Sequence, residues 1–248
     1  ISALQSTGLS LGQIRTYLMN PSSSSLKVLL EERIESIDKQ INELERKQQV
    51  LKGALNQAQR LDSWFDDSIC ITPEGYRWRI VQCPEEYFLE TSVAYIQGKE
   101  DDFISSLIDH VSYCENQGWT ATFQEAYRID EAHVVSGDYA GGFCAEECIP
   151  RRIESSRLRV KPAGTYLQWL NRIDLTMLVD DEGETPEIVA GDFSSSEDNP
   201  MFAAYDALHT FATEQGITLV GDLYDVVLSL YGGSFTEAIY TEVSRRIR

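Results

Sequence analysis

The sequence has few basic residues, few histidines and no long run of apolar residues. It contains 21 Lys and Arg against 40 Asp and Glu, for a net charge of −19, and only three histidines. No apolar run approaches the roughly 18 residues that span a membrane. The first residues also lack the basic start and apolar core of a signal peptide. We therefore expect a soluble, cytoplasmic protein without a membrane partner.

Signatures of catalysis and of metal binding are also missing. There is no Gly-rich phosphate loop, and no recognisable catalytic motif pairs a Ser or Cys nucleophile with a histidine. The five cysteines form no regular framework, which is usual in a reducing compartment. Cys144 and Cys148 are four residues apart, but His110, His133 and His209 lie elsewhere, so support for a metal site is weak. We predict no metal and no cofactor.

Negative charge is concentrated in the C-terminal three quarters of the chain. Residues 1–60 carry eight basic and six acidic residues, whereas residues 61–248 carry 13 basic and 34 acidic residues. The net charges of the two segments are therefore +2 and −21. So acidic a segment repels phosphate and should not contact nucleic acid itself. It can attract a cation, although a role in solubility alone would also explain the composition.

The most regular stretch runs from Ser25 to Leu61 and contains no proline. Its apolar positions alternate in steps of four and three, the spacing of a coiled-coil seam, and charged residues occupy its other faces. The seam positions are Leu30, Ile34, Ile37, Ile41, Leu44, Gln48, Leu51 and Leu55. So narrow a stripe must be buried against another helix, and no second heptad helix follows. We predict a homodimer through this helix. The alternative is a long helix that packs on its own domain.

Local signals predict where the flanking elements begin and end. Ser10 is the expected N-cap of a helix over 11–19, after a short helix over 1–6. Asn20-Pro21 separates these helices from the long one. After the heptads stop, the turn at Pro73-Glu74-Gly75 indicates a domain boundary.

A weak internal repeat fills the rest of the chain. Its first copy has a strand over 87–95, a helix over 102–116 and a strand over 119–127. A closing strand is expected at 134–139 or at 149–159. These strands follow from their apolar alternation, and the helix from its apolar face.

The second copy has the same order of elements. A strand over 158–169 precedes a helix over 200–215, a strand over 217–230 and a strand over 237–247. Like the helix of the first copy, this helix ends in a glycine. One helix per half with antiparallel strands predicts an α+β fold, in which two β-α-β-β halves are related by a pseudo-twofold axis. The cleft between such halves is the default place for a ligand.

The order of these segments resembles a known family of regulators. The opening, ISALQSTGLSLGQI, resembles the end of the DNA-binding domain of MerR-family transcription regulators, in which a long antiparallel coiled-coil helix follows. The remainder resembles the GyrI-like effector-binding domain of the multidrug-responsive, BmrR-type members. That likeness rests on KPAGTY at 161–166, ITLVGDLYDVV at 217–227 and YTEV at 240–243.

The resemblance implies a division of the chain and a function. Residues 1–24 would be a remnant of the DNA-binding domain, residues 25–63 the coiled-coil dimerisation helix and residues 69–248 the GyrI-like domain. The recognition helix would be missing, so this chain should bind operator DNA poorly. The full-length protein would be a homodimeric activator that acts with promoter DNA and RNA polymerase. Its effector would be a lipophilic, cationic small molecule.

The family likeness also implies a ligand site. In the family an acidic residue, usually Glu, follows a Tyr at the base of an aromatic pocket, and the matching pair here is Tyr224-Asp225. Further matching positions are Phe103, Trp119, Phe202 and Tyr240, with Tyr95 and Met201 as looser matches. Each of these residues could instead belong to the core of the domain.

Two other functions stay open at this point. Some GyrI-like proteins hydrolyse electrophilic small molecules, and Asp225 or Glu90 could serve here as a general base. A stand-alone hydrolase has no need of a coiled-coil dimer, which speaks against that function. The third hypothesis is a protein-binding module without a small ligand.

Overall fold

The computed structural model describes residues 4, 6–92, 100–116, 125–149, 151–174, 200–228 and 238–248. The chain divides into two compact units, residues 1–49 and residues 50–248. Most of the short helix predicted over 1–6 lies outside the described residues, as do Tyr95 and Trp119.

Helix α1 (Leu11–Met19) begins and ends at the predicted residues. The hydroxyl of Ser10 accepts a hydrogen bond from the backbone N–H of Gln13 at 3.2 Å. In return, the side-chain oxygen of Gln13 accepts one from the backbone N–H of Ser10 at 2.9 Å. This capping box satisfies two donors that a helix otherwise leaves without partners, so the N-cap prediction is confirmed.

Helix α2 (Ser23–Asp62) contains 40 residues and confirms the predicted long helix. Ion pairs at i,i+4 support its polar faces; Lys39 lies 2.7 Å from Glu35. Large side chains of the seam are exposed to solvent: Ile34 by 59%, Ile41 by 46%, Leu44 by 64%, Leu51 by 70% and Leu55 by 57%. None of the helices in the described ranges has the length and apolar character that a bilayer requires.

The second unit contains one antiparallel sheet, whose strand order is β1-β2-β7-β9-β8-β4-β5-β3-β6. The strands are β1 (Cys70–Ile71), β2 (Arg77–Cys83), β3 (Glu86–Ser92), β4 (Glu125–Ile129), β5 (Phe143–Ile149), β6 (Leu158–Lys161), β7 (Gly164–Asp174), β8 (Leu219–Val227) and β9 (Ala238–Ile247). The helices are α3 (Glu100–Asn116), α4 (Glu131–Ser136) and α5 (Pro200–Glu214), and a 3-10 helix spans Ser63–Phe65. This is the predicted α+β class, with a long helix followed by an antiparallel sheet domain.

The register of the central strands confirms the predicted twofold repeat. Strands β4 and β8 pair at the centre, where Ala126 faces Val226. On one side Ala126 pairs with Glu146 of β5, and on the other Val226 pairs with Glu242 of β9. Each half therefore runs strand, helix, strand, strand, and Glu146 and Glu242 occupy equivalent positions. The short helix α4 is an insertion between β4 and β5.

The two faces of the sheet are covered by different helices. On the helix face, side chains of α5 such as Tyr205 and Leu208 pack on Leu223 and Val243. On the opposite face, which we call the arm face, Trp64 and Leu61 pack on residues that include Val226. Because side chains alternate along a strand, consecutive residues within β8, and likewise within β9, point to opposite faces of the sheet.

The predicted closing strand of the first half was wrong at both proposed positions. The strand is β5, which ends at Ile149, and Val134 lies in helix α4. Asp130 caps that helix by accepting hydrogen bonds from the N–H groups of Ala132 and His133. Gly137 ends it with a φ of 76°. Strong capping therefore overrode the short β-like pattern of this segment.

The strand predicted over 158–169 is in fact two strands. Strand β6 ends at Lys161 and pairs with β3, whereas β7 begins at Gly164 and pairs with β2 and β9. Pro162 lies between them and cannot donate a ladder hydrogen bond. Strands β1 and β2 were not predicted at all. The predicted helix over 200–215 is confirmed as α5, and Gly216 follows it with a φ of 67°.

Candidate functional site

Asp225 lies near the centre of the sheet on the helix face. It pairs with Val243 of β9, which in turn pairs with Trp169 of β7. Two residues along these strands, Thr241 pairs with Asn171. Residues two apart on a strand share a face. Trp169, Asn171, Asp225 and Thr241 therefore form one patch on three adjacent strands, which we call the polar patch.

The carboxyl group of Asp225 is fully buried without a cationic partner in the described part of the chain. The hydroxyl of Tyr205, from helix α5, donates a hydrogen bond to its Oδ2 at 2.8 Å. Burial raises the pKa of Asp225 to about 6, and the hydroxyls of Thr241 and Tyr205 oppose this shift only in part. Near neutral pH the site therefore holds a carboxylate whose charge is poorly compensated.

The rest of the polar patch is also buried without complete hydrogen bonding. Within the described residues, Nε1 of Trp169 and Nδ2 of Asn171 have no hydrogen-bond partner, and the Thr241 hydroxyl is near Asp225 but without good hydrogen-bond geometry. These four residues are at most 4% exposed. A buried polar atom without a partner costs about 1–3 kcal/mol. These atoms make the polar patch the candidate ligand site.

The structure places only some of the sequence-predicted site residues beside Asp225. Phe202 is 3% exposed in the core of the helix face, and its ring lies 5.8 Å from that of Tyr205. Met201 packs against the same core. The backbone of Phe103 lies in α3, but its side chain is outside the described part of the structure, as are Tyr95 and Trp119.

Tyr224 and Tyr240 face the other side of the sheet. The ring of Tyr224 stacks on Phe88 at 6.2 Å, and Lys161 Nζ lies 5.2 Å from its centre. Tyr240 contacts Phe65 edge to face at 5.9 Å. The alternation of β8 explains why neighbours in sequence are separated by the thickness of the sheet.

Sequence reasoning missed four members of this site: Tyr205, Trp169, Asn171 and Thr241. The spacing of Tyr205 within the helix predicted over 200–215 indicates only a place on the apolar face of that helix. The other three residues lie on the same face of the sheet as Asp225. Which residues of two strands share a face can be worked out only once the pairing register of the strands is known. The sequence signal that could have identified them is the presence of polar residues within otherwise apolar strand segments.

The arm face carries a cluster around Glu242, which is fully buried. Its carboxylate accepts hydrogen bonds from Trp64 Nε1 at 2.9 Å, from Arg79 at 3.0 Å and from Gln168 Nε2 at 2.7 Å. Arg60 donates through Nε at 3.1 Å. Burial alone would raise the pKa of Glu242, but the charges of Arg60, Lys161 and Arg79 lower it to about 2.

Glu146, the pseudo-twofold equivalent of Glu242, has a different environment. It is also fully buried, yet neither carboxylate oxygen has a hydrogen-bond partner among the described residues. Its nearest cation is Arg128, whose Nε lies 3.6 Å away. Burial, together with the charge of Glu90, raises the pKa of Glu146 to about 8. At neutral pH Glu146 is therefore mostly protonated.

Other candidate chemical groups are occupied by structural contacts. Glu90 accepts hydrogen bonds from Arg128 and Arg159 on the arm face. His110 is buried against Thr91 at 2.9 Å, and burial lowers its pKa to about 4. Across the described ranges, no group of three or more His, Cys, Asp or Glu side chains is placed to hold a metal ion.

Comparison with known proteins adds one sequence match and several distant structural ones. Residues 1–54 match the family model described as MerR, DNA binding. None of the curated proteins compared matches the chain. Among solved structures, the chain is similar to EcmrR in the EcmrR–DNA complex of EcmrR-RPo, at 14% identity and a TM-score of 0.43, over 99% of this chain and 80% of that one.

Two further structures match the second part of the chain. SAV2435 bound to tetraphenylphosphonium is 9% identical with a TM-score of 0.38, over 69% of this chain and 93% of that one. A hydrolase encoded by lin2189 from Listeria innocua is 12% identical with a TM-score of 0.37, over 69% of this chain and 91% of that one. TM-scores below 0.5 leave these likenesses without weight for the function.

Proposed function

We propose that this chain belongs to a ligand-responsive transcription regulator of the MerR family, and that its second unit binds a lipophilic cation at Asp225. The observation that carries the proposal is a fully buried carboxylate without a cationic partner in the described part of the chain. The match of residues 1–54 to a MerR DNA-binding model supports the regulatory role. We assign no enzymatic activity to the chain.

The chemistry of the site favours a cation with a large apolar surface. A lone buried carboxylate is unfavourable, so a positive charge brought by a ligand relieves a cost that already exists in the free protein. The aromatic core around Tyr205, Phe202 and Trp169 supplies apolar area beside Asp225. Cation–π contacts with such rings contribute about 0.5–2 kcal/mol each. Contacts of this kind have little directional demand, which permits several ligands.

The proposed dimer uses the seam of α2. Its exposed apolar side chains, among them Leu44 at 64% and Leu51 at 70%, form a stripe that a second copy of the helix would cover. In this proposal residues 1–24 belong to the DNA-binding part, residues 25–63 form the dimer arm and residues 69–248 sense the effector. Promoter DNA and RNA polymerase would be partners of the full-length protein.

A ligand can act only through its different affinity for two states of the dimer. In the proposed mechanism, occupation of the Asp225 site favours the state that distorts the promoter so that RNA polymerase can use it. The ligand-binding strands and the end of α2 are directly connected, because Gln57 Nε2 donates to the carbonyl oxygen of Val227 at 2.7 Å. Val227 is two residues from Asp225 in β8.

Calorimetric titration with tetraphenylphosphonium tests the cation site. We expect binding tighter than about 100 μM, a free energy near −5.5 kcal/mol. Asp225→Asn should weaken it at least about tenfold, because it removes the negative charge of Asp225 while keeping the shape of the side chain. The control is Asp109→Asn, which removes the same charge from an exposed position on α3. Absence of binding to the wild type, or equal binding to the Asp225 variant, would contradict the proposal.

The same titration has a pH signature. Because the pKa of Asp225 is about 6 in the free protein, cation affinity should rise between about pH 5 and pH 7, with release of a proton on binding below pH 6. The Asn variant should show no such dependence. It should also be at least as stable as the wild type at neutral pH, since it removes a buried charge. A melting curve thus separates lost binding from lost folding.

Gln48→Leu tests the dimer seam. A polar residue at a seam position fixes register at a cost in stability, so its replacement by leucine should raise the midpoint of unfolding at a fixed protein concentration. The expected gain is about 1 kcal/mol, from the buried leucine. Gln40→Leu is the control, because Gln40 lies on α2 outside the seam. A clear loss of stability, or unfolding that is independent of protein concentration, would refute the seam assignment.

A further inference from the structure

We propose that the ligand of the Asp225 site carries an acceptor oxygen beside its positive charge. This inference rests on the proposed cation site and specifies the ligand class further. A cation by itself compensates only the negative charge of the Asp225 carboxylate. It leaves Trp169 Nε1 and Asn171 Nδ2, two buried nitrogen donors of the polar patch, without an acceptor among the described residues.

The two donors are placed where one molecule can reach them and Asp225 together. Both lie on β7, on the face of Asp225, and β9 separates the two strands. Adjacent strands are about 4.8 Å apart, so the backbones of β7 and β8 lie two strand spacings, or roughly 10 Å, from each other. A carbonyl or ether oxygen a few bonds from the charged atom spans that distance. Thr241, between them on β9, can donate or accept.

Donors of this kind also discriminate between ligands. An indole N–H can only donate, and a buried donor without an acceptor is unfavourable. A site with such donors accepts a ligand that pairs them and disfavours an analogue of the same shape that lacks the acceptor. Apolar packing and the charge of Asp225 would then set affinity, and the donors would set preference among cations.

Two phosphonium ions test the inference: n-pentyltriphenylphosphonium and (4-oxopentyl)triphenylphosphonium. They have the same charge and nearly the same shape, and they differ only in one carbonyl group. Calorimetric titration of the full chain should show about tenfold tighter binding of the oxopentyl ion, the effect of one hydrogen bond to a buried donor. Trp169→Phe and Asn171→Leu remove a donor each and keep an apolar group of similar size.

We expect at least one of these two variants to reduce the preference for the oxopentyl ion over the pentyl ion to about twofold or less. Equal binding of the two ions to the wild type would overturn the acceptor inference and leave the cation site standing. An undiminished preference in both variants would overturn it as well. If neither ion binds the wild type, both the inference and the proposed function are wrong. Melting curves of the variants identify any loss of folding.

Discussion

Glu242→Gln is expected to lower the free energy of unfolding by about 3–5 kcal/mol, the usual cost of breaking a buried ion pair by removing one partner. Glu242 is fully buried and is the shared acceptor of Arg60, Arg79, Trp64 and Gln168. Glutamine keeps the size of the side chain but not its charge. Arg60 and Arg79, each with a side chain only 20% exposed, then lose their common counter-ion. Urea unfolding at neutral pH measures the loss.

The dependence on pH provides a second test of the same cluster. The folded-state pKa of Glu242 is about 2, below its ordinary value of 4.5, so its contribution to stability is present above pH 4.5 and is lost as pH falls toward 2. A difference of this size corresponds to about 3 kcal/mol. The free energy of unfolding of Glu242→Gln should depend less on pH than that of the wild type between pH 4.5 and pH 2. Glu35→Gln is the control, since Glu35 pairs with Lys39 at 2.7 Å but is 68% exposed, and its loss should cost much less. Equal losses for both variants would contradict the central role of Glu242.

Glu146→Gln is expected to have the opposite effect and to stabilise the protein at pH 8 by about 4 kcal/mol. The pKa of Glu146 rises from 4.5 to about 8 in the folded state, chiefly through burial. Stability is therefore unaffected below pH 4.5, falls as the unfolded chain ionises above that value, and reaches its full loss near pH 8. Glutamine does not ionise, so the variant should avoid that loss and match the wild type at about pH 4.

Unfolding curves at several pH values measure this difference. Glu90→Gln is the matched control, because Glu90 lies opposite Glu146 in β3 but accepts hydrogen bonds from Arg128 and Arg159. Its loss should destabilise the protein at pH 8. If Glu146→Gln is destabilising at that pH, then the carboxyl group of Glu146 is ionised and paired in the folded protein.

These two glutamates show how a repeated fold can hold opposite charge states at equivalent positions. Both lie on the third strand of their half and face the arm side. Glu242 is reached by Arg60 and Trp64 from the end of α2 and the 3-10 helix that follows it. Glu146 is not hydrogen-bonded by those elements in the described structure. The end of α2 and the 3-10 helix therefore break the symmetry of the domain, and they do so at β9, whose residues Thr241 and Val243 lie on the face of Asp225.

Local signals in the sequence were sufficient for several elements. Helix α1 follows from the Ser10 cap, the long helix from its heptads, and α5 from its apolar face and the glycine at 216. Each of these signals acts within a few residues of itself, through hydrogen bonds or side-chain spacing. The closing strand of the first half was wrong because the cap at Asp130 and the stop at Gly137 outweighed its pattern.

The sequence predicted one residue of the candidate site, Asp225, but not the side chains that surround it. Asp225 was identified through its place after Tyr224 in the family-like segment, and its role as the base of a ligand site stays a prediction. Tyr224 lies on the opposite face, and the side chains that do surround Asp225 come from α5, β7 and β9. Pairing between strands that are distant in sequence brings them together, and such pairing leaves no mark within a single segment.

Local sequence signals therefore account for several elements of this protein: a capped helix, a long helix with an apolar seam, and two similar halves of strand and helix. The tertiary structure alone decided which buried acids are charged. Glu146, Asp225 and Glu242 all lie in strands, but their pKa values are about 8, about 6 and about 2. Burial raises all three, and only Glu242 meets enough positive charge to reverse the shift, chiefly from Arg60, 182 residues earlier in the chain.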